Sequence, residues 1–285
     1  MTKKINRRTF LQSSAALATA TIGGQSLAQS ENLEVPVIRG PYSSPAAIPA
    51  KKGPRVVIVG GGWSGLTMAK YLKKINPQFD VVLLDKNEQF VSCPISNVWL
   101  ADQVKLDFLT HSYVEAANNN DYLYLNATAL ELDRTAKILV TTLGSINYDY
   151  LVLAPGIDYD YSRIGVDNPE DEYALRMKYP AGFGASSEII AIKHKLQNFK
   201  GGTLALTVPS GNYRCIAAPY ERACMAAAIF KKHNIKGKIL LLDMNPEIRI
   251  KAAGFKKAFN EYYADIIQYV PSTEINGVNV ADREI

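Results

Sequence analysis

The sequence has few of the residues that build metal centres or disulfide scaffolds. Three cysteines (Cys93, Cys215, Cys224) and three histidines (His111, His194, His233) are scattered through 285 residues. No CxxC, HxxxH or HExxH spacing occurs among them. This excludes the common structural-zinc and metalloprotease arrangements, and no metal is expected. Three cysteines are also too few to staple a small secreted scaffold, so each is either a core residue or an individually placed reagent. No stretch is long and apolar enough to span a bilayer. The net charge is +5, but Lys3, Lys4, Arg7 and Arg8 supply four of those charges in a segment without a single acid. The remainder is about +1, so the basicity carries no argument for a nucleic-acid partner.

What is present is an ordinary globular composition, 47% hydrophobic and 21% charged. The length suits one large or two medium domains. At the N-terminus, Arg7-Arg8 is followed by Phe10-Leu11, a weakly apolar Ser/Ala/Thr/Gly stretch and a small-x-small site at Ser26-Leu27-Ala28. That is the twin-arginine pattern, so residues 1–28 are expected to be a cleaved signal and the mature protein periplasmic. Residues 29–54 carry five prolines and little periodicity. They read as a linker or as an extended arm over the first domain.

A nucleotide cradle follows. The β-branched run 55–59 predicts a buried parallel strand. It enters Gly60-Gly61-Gly62-Trp63-Ser64-Gly65, a helical segment 66–75, and a second strand 80–84 that ends at Asp85. In this context Gly60 permits the tight turn, Gly62 lets the backbone approach a pyrophosphate, and Gly65 allows close helix–strand packing. The helix start offers N–H groups and a positive dipole to phosphates, and Asp85 can accept from ribose hydroxyls. GxGxxG alone is weak evidence; with both strands, the helix and the terminal acid it is strong. FAD and NAD both use such a cradle.

Residues 148–156 form a further strand ending in the turn Ala154-Pro155-Gly156. Segments 122–125, 127–132 and 137–142 read as three short strands of a small meander. Strand 202–208, a helix from Pro219 to His233 and strand 238–243 make a second strand–helix–strand unit. Pro209-Ser-Gly-Asn-Tyr-Arg stands where that unit's glycine fingerprint would be, so NAD(P)H is not expected as a substrate. Cys224 lies among alanines in that helix and reads as core. Glu221 and Arg222, in its first turn, read as a local salt bridge with no catalytic role.

The Ala154-Pro155-Gly156 turn resembles the second flavin motif of the two-dinucleotide-domain flavoproteins. Phe90-Val-Ser-Cys93-Pro-Ile-Ser-Asn97 and Asn212-Tyr-Arg-Cys215, followed by Pro219-Tyr-Glu-Arg-Ala-Cys224, narrow the likeness. With the leader and the cradle in the same order, the chain resembles the flavoprotein subunit of flavocytochrome c sulfide dehydrogenase, within the sulfide:quinone reductase group. The resemblance implies an α/β fold of two Rossmann-like βαβ domains of the FAD/NAD(P)-linked reductase type. These are expected at 55–160 and 161–285, the second without a nucleotide fingerprint and incomplete at its C-terminus. It implies FAD held by Gly60, Gly62, Gly65, Asp85, Ala154, Pro155 and Gly156, and carried covalently on Cys93 through a thioether to the flavin 8-methyl group. It implies Cys215 as the redox cysteine that sulfide attacks, and a c-type cytochrome subunit as electron acceptor. The family's Pro-Pro-Gly after the redox cysteine is replaced here by Ile216-Ala217-Ala218, and no cysteine follows Cys224. A quinone-reducing relative and a non-catalytic flavin-binding protein are the alternatives.

Overall fold

In the computed structural model, Tyr42 and residues 44–285 apart from Ala185 are described. The twin-arginine segment and most of the proline-rich stretch lie outside the described residues. In chain order, β1 (Arg55–Val59) leads through the glycine turn into α1 (Trp63–Ile75) and β2 (Asp80–Asp85). The short strands β3 (Gln89–Val91) and β4 (Thr110–Ser112) bracket α2 (Ser96–Leu100), and α3 (Tyr113–Asn119) then leads to β5 (Leu123–Asn126). Next come β6 (Ala129–Asp133), β7 (Ile138–Thr141), β8 (Gly144–Asn147) and β9 (Tyr150–Leu153). Two helices follow, α4 (Pro169–Lys178) and α5 (Ser186–Gln197). The final run is β10 (Gly202–Val208), α6 (Ala218–Lys232), β11 (Gly237–Asp243), α7 (Ala252–Lys257) and β12 (Ile267–Val270).

Two compact units result. The first takes the described residues up to Glu88 together with Ala117–Pro155; the second takes Gln89–Ala116 and Gly156–Ile285. Residues 89–116, placed on sequence grounds within the first domain, therefore cluster with the second unit.

The first unit is built on a parallel sheet of order β5-β2-β1-β9. β1 and β2 read as continuous apolar runs because both of their faces are covered: Val57, Ile58, Val82, Leu83 and Leu84 are almost fully buried. A separate antiparallel sheet, β6-β7-β8, packs Leu139 and Ile146 into the same core as Val57, Val82 and Leu84. This corrects the expected meander. The segment near 123 belongs to the parallel sheet beside β2, and the meander's third strand is β8. Residues 44–46 lie along β8, where Ser145 donates to the Ser44 carbonyl and Ala46 donates to the Ser145 carbonyl, both at 2.8 Å. Ala46 is buried in the core there.

The second unit has a parallel sheet of order β10-β11-β12, with α6 packed against it. Ala223, Ala226, Ala227 and Phe230 of α6 meet Val208, Ile239 and Leu241 in one core. Small residues on the helix let it approach the sheet closely. Cys224 is buried in that core, as its alanine neighbours suggested. At the end of β11, Asp243 is fully buried. Its carboxylate accepts from the hydroxyls of Tyr220 (2.6 Å) and Tyr269 (3.1 Å) and from the backbone and side chain of Asn245 (both 2.8 Å). The acid that ends the second strand–helix–strand unit is thus committed to the protein, and a ribose hydroxyl could reach it only by displacing a tyrosine.

Candidate functional site

In the first unit the three fingerprint glycines meet different constraints. Gly60 has φ +105, and a β-carbon there would lie 2.1 Å from the Ala154 carbonyl oxygen. The Gly60 turn and the Ala154-Pro155 turn therefore cross in contact, and only glycine fits. A β-carbon at Gly65 would lie 1.8 Å from the Gly60 carbonyl oxygen, so Gly65 lets α1 seat on its own entry turn. Gly62 is unlike both. Its backbone (φ −71, ψ −172) suits any residue, and a β-carbon there would meet nothing within 4 Å. Neither conformation nor protein packing calls for glycine at 62. The side of the turn left open is the one where the backbone can approach a pyrophosphate.

Two further features fit a dinucleotide. No side chain caps the start of α1, and its first turn holds no acid, so its dipole is not offset from within. Asp85, at the end of β2, accepts from the Gly61 amide at 2.7 Å and from the Asn87 backbone and side chain at 2.8 Å. It braces the glycine turn. Gly156 has φ +80 and, like Gly62, nothing near its missing β-carbon. The open side of the glycine turn and the uncapped start of α1 fit a phosphate group.

In the second unit the two candidate cysteines sit in matching places. Cys93 lies two residues ahead of Ile95, the N-cap of α2; Cys215 lies two residues ahead of Ala217, the N-cap of α6. The Cys93 carbonyl accepts from the Ser96 amide and the Cys215 carbonyl accepts from the Ala218 amide, each at 3.0 Å. Asn97, buried beside Ser96, donates to the Ala218 carbonyl at 3.3 Å and to Glu221 at 3.2 Å. One asparagine therefore stitches the two cysteine turns together. Each turn also holds a non-glycine residue in the left-handed region, Ile95 (φ 71) and Cys215 itself (φ 58). A β-branched residue with positive φ is rare and costs about 1–3 kcal/mol, strain that the surrounding contacts must hold in place.

The stitch overturns the expected salt bridge between Glu221 and Arg222. Glu221 turns to the Asn97 amide group, and Arg222 donates from Nε to the Asn97 Oδ1 at 3.1 Å. Successive residues of a helix point in different directions, and both of these reach one buried amide. Arg222 is only 8% exposed. Its Nη1 donates to the Ala181 carbonyl and its Nη2 to the Gly182 carbonyl, and the guanidinium lies 5.2 Å from the centre of the Phe183 ring. Arg214, next to Cys215 and exposed, donates to the Phe183 carbonyl at 3.1 Å. The segment 181–184 is held in turn by Glu188, which accepts from the Tyr159 hydroxyl (2.6 Å) and the Gly182 amide (2.7 Å). The Tyr159 hydroxyl accepts from the amides of Phe183 and Gly184.

The electrostatics follow from this packing. Burial pushes the Cys93 thiol above its ordinary value, opposed chiefly by the Arg214 charge, while Cys215 adds to the rise and Arg222 lowers it. Burial holds the Arg222 guanidinium below the ordinary arginine value, and Cys93 is the foremost of the groups that oppose this. All three cysteines are free thiols. Sequence reasoning assigned Cys93 and Cys215 but missed Asn97, Arg214, Arg222 and the 181–184 segment. Asn97 and Arg214 lie inside the motifs already quoted; the 181–184 segment belongs to none.

Among the described residues no group of three or more His, Cys, Asp or Glu side chains is placed to hold a metal ion. No described helix is long and apolar enough to cross a membrane.

Two family models match the chain. Residues 54–176 match pyridine nucleotide-disulphide oxidoreductase, and residues 190–285 match the central part of the sulfide dehydrogenase [flavocytochrome c] flavoprotein chain. The mitochondrial sulfide:quinone oxidoreductase of Mus musculus is 27% identical over 192 residues, covering 66% of this chain and 41% of that protein. The sulfide dehydrogenase [flavocytochrome c] flavoprotein chain of Chlorobaculum thiosulfatiphilum is 51% identical over 43 residues, which are 15% of this chain and 90% of that sequence. Among solved structures, the sulfide:quinone oxidoreductase of Aquifex aeolicus superposes with a TM-score of 0.66 at 19% identity, covering 80% of this chain and 53% of that one. The chain thus spans about half or less of the length of the sulfide:quinone oxidoreductases it matches. The fold is the α/β fold of the FAD/NAD(P)-linked disulfide reductases, and the chain belongs to the flavoprotein family that includes sulfide:quinone oxidoreductase and the flavoprotein chain of flavocytochrome c sulfide dehydrogenase.

Proposed function

We propose that this chain is the flavin-binding part of a sulfide dehydrogenase that works in the periplasm and passes electrons to a c-type cytochrome. The observation that carries the reading is the stitching of the Cys93 and Cys215 turns through Asn97, with two guanidiniums beside them. The Gly60–Gly65 turn, Asp85 and the Ala154-Pro155-Gly156 turn would hold FAD, and Cys93 would attach it through a thioether. When bound, FAD supplies two-electron acceptance from sulfur and the one-electron release that a haem requires.

The protein's own residues have distinct tasks. Cys215, a free thiol in this structure, would be the electrophile once joined in a disulfide to a second thiol, a two-electron oxidation for which FAD would be the acceptor. The electron pair of hydrosulfide forms a new S–S bond as the older bond to Cys215 breaks, so sulfide is oxidised and the disulfide reduced. The departing sulfur leaves as a thiolate. The left-handed turn at Cys215, fixed by the Tyr213 hydroxyl on the Ile216 carbonyl (3.0 Å), takes the place of the family's Pro-Pro-Gly. Export by the twin-arginine route delivers a folded protein. Replacing Arg7 and Arg8 with lysine should leave the protein inside the cell, and unchanged export would remove that part of the proposal.

The chemistry is tested by adding sulfide to the flavin-loaded protein together with ferric cytochrome c or a short-chain quinone. Sulfide-dependent reduction of the cytochrome supports the reading. Reduction of the quinone alone would favour the second reading, which rests on the sulfide:quinone oxidoreductase relatives. Reduction of neither would leave a flavin-binding protein without this activity. Covalent attachment is tested by acid precipitation: yellow colour should stay with the pellet, and Cys93→Ser should release it.

A further inference from the structure

The arginines beside the cysteines are held in an unusual way. Arg222 is buried, yet the groups that hold it are neutral: the Asn97 amide oxygen, the carbonyls of Ala181 and Gly182, and the Phe183 ring. Arg214 donates to the next carbonyl along, that of Phe183. Three successive carbonyls thus bring two guanidiniums onto one short segment. Gly182 makes room for this. Its φ is +74, and a β-carbon there would lie 3.1 and 3.2 Å from the two terminal nitrogens of Arg222. Among the described residues neither arginine takes part in an ion pair. The nearby carboxylates are turned elsewhere, Glu188 to Tyr159 and Gly182, and Glu221 to Asn97.

The Glu188 charge acts on Arg222 without pairing to it directly, so the cost of burying this cation is repaid only in part. Such an arrangement persists where an anion arrives during function. With Cys93 committed to the flavin, the Cys215 sulfur is the one that can carry that anion; its turn is tied through Asn97 to Arg222, on which its charge acts. Arg214 adjoins Cys215 in sequence and is exposed, so it can meet an incoming ion before the buried charge does.

We propose that Arg214 and Arg222 form a small-anion site at Cys215, which gathers hydrosulfide and holds the negative charge of sulfur while bonds to Cys215 are made. The identity of the anion rests on the sulfide-oxidising reading; the site itself does not. Arg214 is the exposed, attracting member. Arg222 is the fixed member, positioned by Asn97 and the 181–183 carbonyls. The site selects for small monoanions over neutral thiols, which sets the ionised form of hydrogen sulfide as the reactive species.

The test uses the full chain, reduced, with iodoacetate and iodoacetamide as probes of the same size and opposite character, one anionic and one neutral. The rate of labelling at Cys215 is read by mass spectrometry of its peptide. A guanidinium beside the thiol in a half-wet environment should favour the anionic probe by about fivefold. Cys215 should therefore show an iodoacetate-to-iodoacetamide ratio several-fold above that of a free thiol, falling as salt is added. Arg214→Gln should cut the ratio about fivefold, and because Arg214 is exposed this variant tests the site without threatening the fold. Arg222→Lys should keep most of the preference, and Arg222→Met should lose it. A wild-type ratio equal to that of a free thiol, or one unmoved by Arg214→Gln, would overturn the site. A raised ratio in a protein whose flavin ignores sulfide would keep the site and overturn hydrosulfide as its ligand.

Discussion

Replacing Gly62 with alanine should separate folding from flavin binding, and Gly60→Ala should not. At Gly62 the backbone lies in a region open to every residue, and a β-carbon would meet no protein atom within 4 Å. Alanine there restricts the unfolded chain, worth about 0.4–1 kcal/mol, but Gly62 is the N-cap of α1, where alanine is disfavoured by a similar amount, so stability should change little. The same methyl would stand where the pyrophosphate approaches. Losing one charge-assisted hydrogen bond costs about 1.5–3 kcal/mol, so flavin affinity should fall roughly 10- to 100-fold. Gly60→Ala should cost far more. Its φ of +105 and the 2.1 Å approach to the Ala154 carbonyl force the two turns apart. Backbone strain alone costs about 1–3 kcal/mol, and the collision adds to it. At roughly 2–4 °C per kcal/mol for a chain of this size, the melting temperature should drop by at least about 5 °C. The assay is thermal unfolding of the flavin-free chain, then titration with FAD by fluorescence quenching, all in the Cys93→Ser background so that flavin exchanges. If Gly62→Ala melts as early as Gly60→Ala, or binds FAD like its parent, Gly62 does not face the pyrophosphate.

Other positions give sharper readings of the cysteine turns. Asn97→Ala takes the Asn97 partner from the Arg222 Nε and from the Glu221 carboxylate; it should destabilise the chain by about 2–3 kcal/mol in urea unfolding, whereas a surface-like effect below about 0.5 kcal/mol would show that the stitch is dispensable. Cys215→Gly should be more stable than Cys215→Ala by about 1 kcal/mol in the same assay, because φ 58 strains a residue with a β-carbon; equal stabilities would mean that the turn relaxes. Burial, aided by the Glu221 charge, pushes the Cys224 thiol from 9.0 up to about 11. A thiol raised in the folded state contributes stability that is fully present below about pH 9 and lost as pH rises through about 11. Unfolding free energy measured across that window should therefore fall, and Cys224→Ala should flatten the fall; an unchanged slope would refute it.

The parts of the molecule legible in the sequence are those whose determinants are local. The run 55–59 is apolar without alternation because both faces of β1 are covered, and the glycines of the first turn announce a contact between neighbouring segments. The cysteine motifs are local too, and it is their resemblance to the family's motifs that draws attention to Cys93 and Cys215. Pairing is not local. Gly144–Asn147 has a glycine and two small polar residues, weak strand formers, and becomes β8 because β7 on one side and residues 44–46 on the other supply partners. The strand β5 reads like its neighbours in the meander and differs only in lying beside β2. The arginine pair is hidden for the same reason. Arg222 adjoins Glu221 in sequence, which suggests a local salt bridge, but its acceptors come from Asn97 and from carbonyls at 181 and 182. Peptide carbonyls leave no mark in sequence, so a cation held by them looks like any other.

The proposed path takes electrons from sulfide through Cys215 to flavin. The direct measurement is the flavin absorbance of the loaded protein on anaerobic addition of sulfide, beside Cys215→Ser. The account predicts bleaching in the parent protein and none, or a rate lower by orders of magnitude, in the variant. Flavin that stays oxidised in the parent, or bleaches equally in both, would contradict it.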